Sequence, residues 1–356
     1  MIRTIVPDPI VRGPGTIEDL GTLGGPSSFG LAINARGHIS GVSYRSYADP
    51  HSSGVHAFRY DGFGLIDVGA LPTSNFSWGY GINDDDAIVG PSLVDVGGDT
   101  VSHAFLASAT LTLTDLGTLG GEFSFAHDIN NHGQVTGEAS IQTGETHAFL
   151  WTSGAMQDLG TLGGNYSVGR SINDLGQIAG ESRIDAGDTT RAFRFTESTG
   201  MISLGALGGK NSSAYGINNS GQIVGESDTG LIPIPYPVGR RLKGFLFFGT
   251  HAFLWTEGIG MTDLGHLGGG TSRATAINNN GVVVGTSTLI DGTSHAFHWT
   301  KRGGMIDLNT LLPINSGWIL YEADGVNDRD QITGNGLHNG NVHGFRWDPP
   351  EIVSVP

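Results

Sequence analysis

The 356-residue sequence predicts an all-β fold, a seven-bladed β-propeller of four-stranded antiparallel blades whose ring is closed by the N-terminal strand. Three observations lead there. One pattern recurs seven times at spacings of 43 to 60 residues. Its apolar runs are short, rich in Ile, Val, Phe and Trp, and show no helical period. The last copy lacks a segment of which the N-terminus carries a spare. Four-stranded units of this size cannot bury both faces alone, so they stack radially and close on themselves.

Each copy supplies strands a to d. Strand a ends in Ile-Asn or Val-Asn, at Asn34, Asn83, Asn130, Asn173, Asn218, Asn278 and Asn327. The Asn-x-x-Gly turn that follows offers the left-handed residue of a tight hairpin, with Asp86 and Asp330 in the Gly slot of copies 2 and 7. Strand b carries a Gly seven residues after each Asn, from Gly41 to Gly334. Strand c is the His-Ala-Phe run at His56, His103, His147, His251 and His295, with Arg191 in copy 4 and His343-Gly-Phe in copy 7. Strand d marks copies beginning near 19, 67, 115, 158, 203, 263 and 307, each with Asp there except Ser203. Residues 14–22 are the surplus strand d expected to complete the last blade, and the whole chain reads as a single propeller.

The blocks Asp-Leu-Gly-Thr-Leu-Gly-Gly at 115–121 and 158–164, with His-Ala-Phe-Leu-Trp at 147–151 and 251–255, resemble the HAF-repeat family, and the resemblance covers nearly the full chain. It implies a bacterial repeat protein of extracellular type, secreted or otherwise extracytoplasmic, with no reaction common to the group. The chain's first residues carry Pro7, Asp8, Pro9 and Pro14 where a signal peptide needs an unbroken apolar run. That leaves a cytoplasmic chain or one whose leader has been removed.

Composition narrows the function. The 59 Gly outnumber the 18 basic and 34 acidic residues combined, which suits turn-rich repeats, and a net charge of −16 opposes nucleic acid. Apolar runs are too short to span a bilayer, and without Cys there is neither thiol nucleophile nor thiolate metal site. No cofactor is implied, and a monomer is expected. The recurring His residues are expected one blade apart, too far to converge on one ion, so no metal is assigned to them. Each is expected instead to share a buried, charge-assisted hydrogen bond with the Asp of its own strand d, because copy 4 loses both together. The Gly-Gly turns lack the Lys-Ser/Thr and the helix of a phosphate loop. Asp84-Asp85-Asp86 reads as a solvated turn rather than a calcium loop.

Function should lie where the copies differ. On strand a the positions four and two before the Asn are mostly Gly, Ala or Ser, fit for close blade packing. The positions five and three before it vary, and strict alternation places them on one face, looking into the central funnel. Phe29, Trp78, Tyr80 and Phe125 then form an aromatic wall, with Arg170 and Arg273 as holders of an anionic or hydrogen-bonding group. Alternatively Arg273 pairs with Glu322 or Asp324 of the next blade. The link from strand b to strand c is 9 to 15 residues in six copies and 26 in copy 5. This insertion loop, 228–250, carries Tyr236, Arg240 and Arg241, which would close over a small-molecule or glycan-like ligand or dock a protein partner. The leading reading is a ligand-binding or scaffold module with its site at the funnel mouth. The alternative is a propeller enzyme, a lyase, hydrolase or cyclase, with His127, Tyr215, Glu322 or Asp324 as acid or base. A raised pKa at Glu322 or Asp324 would favour the enzyme.

Overall fold

The computed structural model describes residues 10–11, 14–46, 54–231, 248–350 and 352–353. Seven four-stranded antiparallel sheets form a seven-bladed propeller. In blade 3 the strands are Gly120–Ile129, Val135–Ile141, Thr146–Thr152 and Ala155–Asp158, paired in that order from a to d. In blade 7 strand a (Trp318–Val326), b (Ile332–His338) and c (Asn341–Asp348) are joined by Thr16–Asp19 as strand d, in the register Ile17 to Trp347 and Asp19 to Phe345. Closure by the N-terminal strand is therefore observed, and Ile10–Val11 adds a second short pairing with Ile352–Val353. One 3-10 turn, Leu308–Leu311, stands where blades 6 and 7 are linked without a Gly-Gly turn. No helix among the described residues is long and apolar enough to cross a membrane.

The repeated residues each have a packing role. The strand c Phe of every blade, Phe58, Phe105, Phe149, Phe193, Phe253, Phe297 and Phe345, is fully buried. The Gly of strand b is there for space: a Cβ on Gly137 would lie 1.9 Å from the Phe125 carbonyl oxygen and 2.8 Å from the Phe149 ring. No rotamer relieves a clash with backbone.

The Asn that ends strand a does more than start a hairpin. Its Oδ1 accepts from the backbone N–H groups two and four residues on, as at Asn130 from His132 and Gln134. Its Nδ2 donates to the backbone carbonyl of the equivalent Asn in the next blade, from Asn34 to Asn83 and onward around the ring until Asn327 returns to Asn34. A closed circle of side-chain to backbone bonds thus ties neighbouring blades together. Gln134, Gln177, Gln222 and Gln331 give the same Nδ2 a second acceptor. Blades 1 and 6 have His38 and Val282 there, and the acceptor comes instead from Asp86 and Asp330 of the following blade. Those two residues hold φ of +62° and +59°. They occupy the left-handed slot of the turn, as expected, and bond across the blade boundary as well.

Strand a departs from strict alternation. Its ladder with strand b slips by one residue at the third position before the Asn in six blades, as between Ala126 and Asp128 or Gly169 and Ser171. This β-bulge leaves one residue unpaired and turns both it and its successor toward the axis. The position two before the Asn, expected to serve blade packing alone, therefore lines the channel with Asp128 and Ser171.

The His and Asp of strands c and d pair within each of the six blades that carry them. Nδ1 of His56, His103, His147, His251 and His295 lies 2.7 to 2.8 Å from Asp67, Asp115, Asp158, Asp263 and Asp307. His343 meets Asp19 at 2.9 Å across the closure. The imidazoles are mostly covered, but the Asp158 side chain is 43% exposed, so the pair is only half-buried. Each Asp also accepts the backbone N–H two residues on, from a Gly in every case, as Asp158 does from Gly160, except Asp307, which accepts from Asn309. In blade 4 Ser203 keeps only that bond, from Gly205, and Arg191 donates to the Thr190 carbonyl.

Candidate functional site

The bulges build an axial channel. The unpaired residues Leu31, His127, Arg170, Tyr215, Thr275 and Asp324, with Tyr80 of blade 2, form its wall, with a cavity volume of about 220 Å³. Each polar one from blades 3, 4, 5 and 7 is held by the strand b residue 11 positions on. His127 Nε2 lies 3.4 Å from Glu138, Arg170 donates to Glu181 at 2.8 Å, Tyr215 OH donates to Glu226 at 2.8 Å, and Asn335 donates to Asp324 at 2.7 Å. The opposite arc, from blades 1 and 2, is Leu31 and Tyr80, and Tyr80 stacks on His127 with centroids 5.7 Å apart. The channel is thus polar on one side, apolar and aromatic on the other.

Arg273, one ring further toward the turns between blades, reaches back to blade 5. It donates to Glu226 at 3.0 and 3.2 Å and lies over the Tyr215 ring at 5.3 Å. The pairing partner is therefore Glu226, in place of the Glu322 or Asp324 considered from sequence. Arg273 and Glu226 also border a second hollow of about 230 Å³ between blades 5 and 6, walled by Thr250, Thr271, Thr286, Thr288 and Ser294. Glu226 connects the two spaces by accepting from Tyr215 and Arg273 at once.

Electrostatics divide the wall. Burial pushes the Asp128 carboxyl up to about 6, against bonds from the Ile172 N–H, the Ser171 hydroxyl and the Ile129 N–H. Burial, with Glu322 nearby, raises Asp324 well above the usual carboxylate range, although Arg273 opposes the shift. Burial lowers His127, favouring a neutral ring. Arg170 and Arg273 lose some affinity for the proton through burial and regain more from Glu181 and Glu226. Burial and the Glu226 charge raise Tyr215, which stays a hydroxyl. Tyr166 is pushed up to about 12 by burial and by Glu138 and Glu181. Carboxylates outnumber guanidiniums here, and both guanidiniums already have carboxylate partners.

Of the sequence candidates, Tyr80, His127, Arg170, Tyr215 and Asp324 come together in the channel, with Arg273 adjoining. Phe29, Trp78, Phe125 and Glu322 are half-buried two residues before the channel residue of their blade, outside the channel, and Phe125 packs edge-on against Phe123 at 5.7 Å. Tyr236, Arg240 and Arg241 lie outside the described residues. Sequence reasoning missed Glu138, Glu181, Glu226 and Asp128. The signals were available: Glu follows the strand b Gly in three consecutive copies, and Asp128 is a charged residue at a position otherwise small.

No family model matches the chain, and no curated protein matches it in sequence. Solved structures do resemble it. A puromycin-hydrolyzing peptidase of Mycobacterium tuberculosis aligns with a TM-score of 0.52 and 9% identity, over 96% of this chain and 57% of that one. A gluconolactonase from Xanthomonas campestris aligns with a TM-score of 0.41 and 8% identity, over 96% of this chain and 97% of its own. TolB from Acinetobacter baumannii gives 0.43 and 12% over 68% of this chain, which spans about half, 52%, of TolB's length. At such identities the likeness is one of fold.

Proposed function

We propose that the protein is a binding propeller for a small polar ligand of the sugar class, neutral or cationic, held between the axial channel and the hydroxyl-walled hollow beside it. The observation that carries this reading is the Tyr215–Glu226–Arg273 cluster, whose fixed donors and acceptors border both spaces. A sugar offers alternating hydroxyls to such a cluster and an apolar face to an aromatic such as Tyr80. An anionic group is disfavoured, because Glu181 and Glu226 already neutralise Arg170 and Arg273 and further carboxylates surround them. The HAF-repeat resemblance supports an extracytoplasmic setting, where such ligands are met. A thermal-shift screen of neutral sugars, amino sugars and sugar acids tests the reading. Neutral or amino sugars should stabilise the protein, and Tyr215→Phe and Arg273→Ala should weaken that effect while folding survives. Stabilisation by sugar acids alone, or undiminished binding in both variants, would overturn it.

A second reading has its own support. Asp324 keeps its proton more readily than an ordinary carboxyl and faces the same channel as ionisable Asp128. A protonated carboxyl beside a bound sugar is a general acid, which would make the protein a hydrolase or lyase. Slow turnover of an activated glycoside or lactone, abolished by Asp324→Asn with ligand binding retained, would establish that reading over simple binding.

A further inference from the structure

The ring closure differs from the other blades in one respect. Five blades pair one imidazole with one carboxylate, whereas blade 7 brings two to Asp19, His343 from strand c and His338 from the end of strand b. His338 Nδ1 lies 2.6 Å from Asp19 Oδ2, and His343 Nδ1 lies 2.9 Å from each carboxylate oxygen. One donor atom from each of the three residues falls within 4.8 Å of the others, the sole such group among the described residues. The His338 ring is fixed flat against Trp318, with centroids 4.5 Å apart and planes 3° from parallel. Asp19 is further anchored by the Gly21 N–H at 2.8 Å.

We propose that Asp19, His338 and His343 bind a divalent first-row transition ion, Zn²⁺ in the simplest case, across the closure of the ring. Two imidazole nitrogens and one carboxylate oxygen on three neighbouring strands form an N₂O set of the kind such ions favour, and the partly exposed position, with side chains 16–27% exposed, leaves coordination sites for water. The ligands need separate by only a few tenths of an ångström from hydrogen-bond to metal-ligand spacing. To ligate through Nδ1, each neutral ring moves its proton to Nε2. Asn339, 3.1 Å from His338 Nε2, can accept a hydrogen bond from that Nε2–H by presenting its amide oxygen in place of Nδ2. The ion would join the first strand of the described ring to its last two, locking the closure that the other blades do not need. By linkage it would stabilise the whole propeller.

The test uses the full chain, dialysed against chelator and titrated with ZnCl₂ by calorimetry and thermal melting, with Co²⁺ absorption as a report of nitrogen ligation. One equivalent should bind and raise the melting temperature. His338→Ala keeps the His343–Asp19 pair found in other blades, so it should fold and bind Zn²⁺ at least about tenfold more weakly, whereas His147→Ala should bind as the parent does. Absence of saturable Zn²⁺ or Co²⁺ binding, or equal affinity in His338→Ala, would overturn the proposal and make His338 a second hydrogen-bond donor only.

Discussion

Each repeated side chain answers to a specific bond, and the bonds predict what its loss does. His147 and Asp158 share a contact of 2.8 Å with the carboxylate 43% exposed, so solvent competes for it. A double-mutant cycle should return a coupling of about 0.5–1.5 kcal/mol, and strictly additive single effects would refute the pairing. At Asp67 burial raises the carboxyl, yet the bonds from His56 and the Gly69 N–H and the charges of His56 and Arg45 outweigh it, so its pKa is lowered. Its stabilising effect is therefore complete above the unfolded carboxylate value of about 3.9 and is lost as pH falls through the lower folded value. Asp128 has the opposite sign. With its carboxyl at about 6, the folded state holds a proton that the unfolded chain has released between roughly pH 4 and 6. Stability should fall as pH rises through that window, and Asp128→Asn should flatten the slope in denaturant titrations run at pH 4, 5, 6 and 7. An unchanged slope would show that Asp128 titrates normally.

Strand and turn patterns were readable to different depths. The copies calibrate one another, so the strand order, the left-handed turn residues and the His–Asp pairs could all be inferred by asking which positions change together. The bulge could not. Alternation assumes that every residue of strand a has a partner, and a ladder slip leaves no mark in composition. The channel wall is half legible for a different reason: variation on strand a marks His127, Arg170 and Tyr215, whereas the strand b carboxylates that fix them show only as a Glu after the strand b Gly in copies 3 to 5. The Asn circle shows why substitution at a turn need not be neutral even when the backbone would welcome it. Glycine suits the φ of +59° at Asp330 better than Asp does, but Asp330 accepts from Asn278 at 2.8 Å across the blade boundary. Asp330→Gly should therefore destabilise by about 1 kcal/mol in chemical denaturation, despite the relieved backbone. A gain in stability would mean that the bond contributes less than the strain.

Closure makes the ring one cooperative object, since every blade buries one side against each neighbour and a missing strand exposes two. Thr16–Asp19 supplies the outer strand of blade 7, Asp19 serves both His338 and His343, and Leu20, 3% exposed, packs with Ile39, Phe58 and Tyr60 of blade 1. Removing residues 1–22 therefore opens a sheet edge, strips a core leucine and leaves two imidazoles without their acceptor. The lost leucine alone is worth about 2–5 kcal/mol, so the melting temperature should drop on the order of 10 °C, with broadened unfolding. Removing only residues 1–13 spares Thr16–Asp19 and should cost much less. Asp348 lies opposite Thr16, so residues 14–22 transplanted behind strand c through a short turn can re-form the same pairing from the other end of the chain. Restored melting in that permuted protein would show that the strand matters for its place in the ring rather than for its position in the sequence. An equal loss from both truncations, with no rescue by the transplant, would mean that the two-residue pairing of Ile10–Val11 with Ile352–Val353 holds the ends together and that strand d of blade 7 is dispensable.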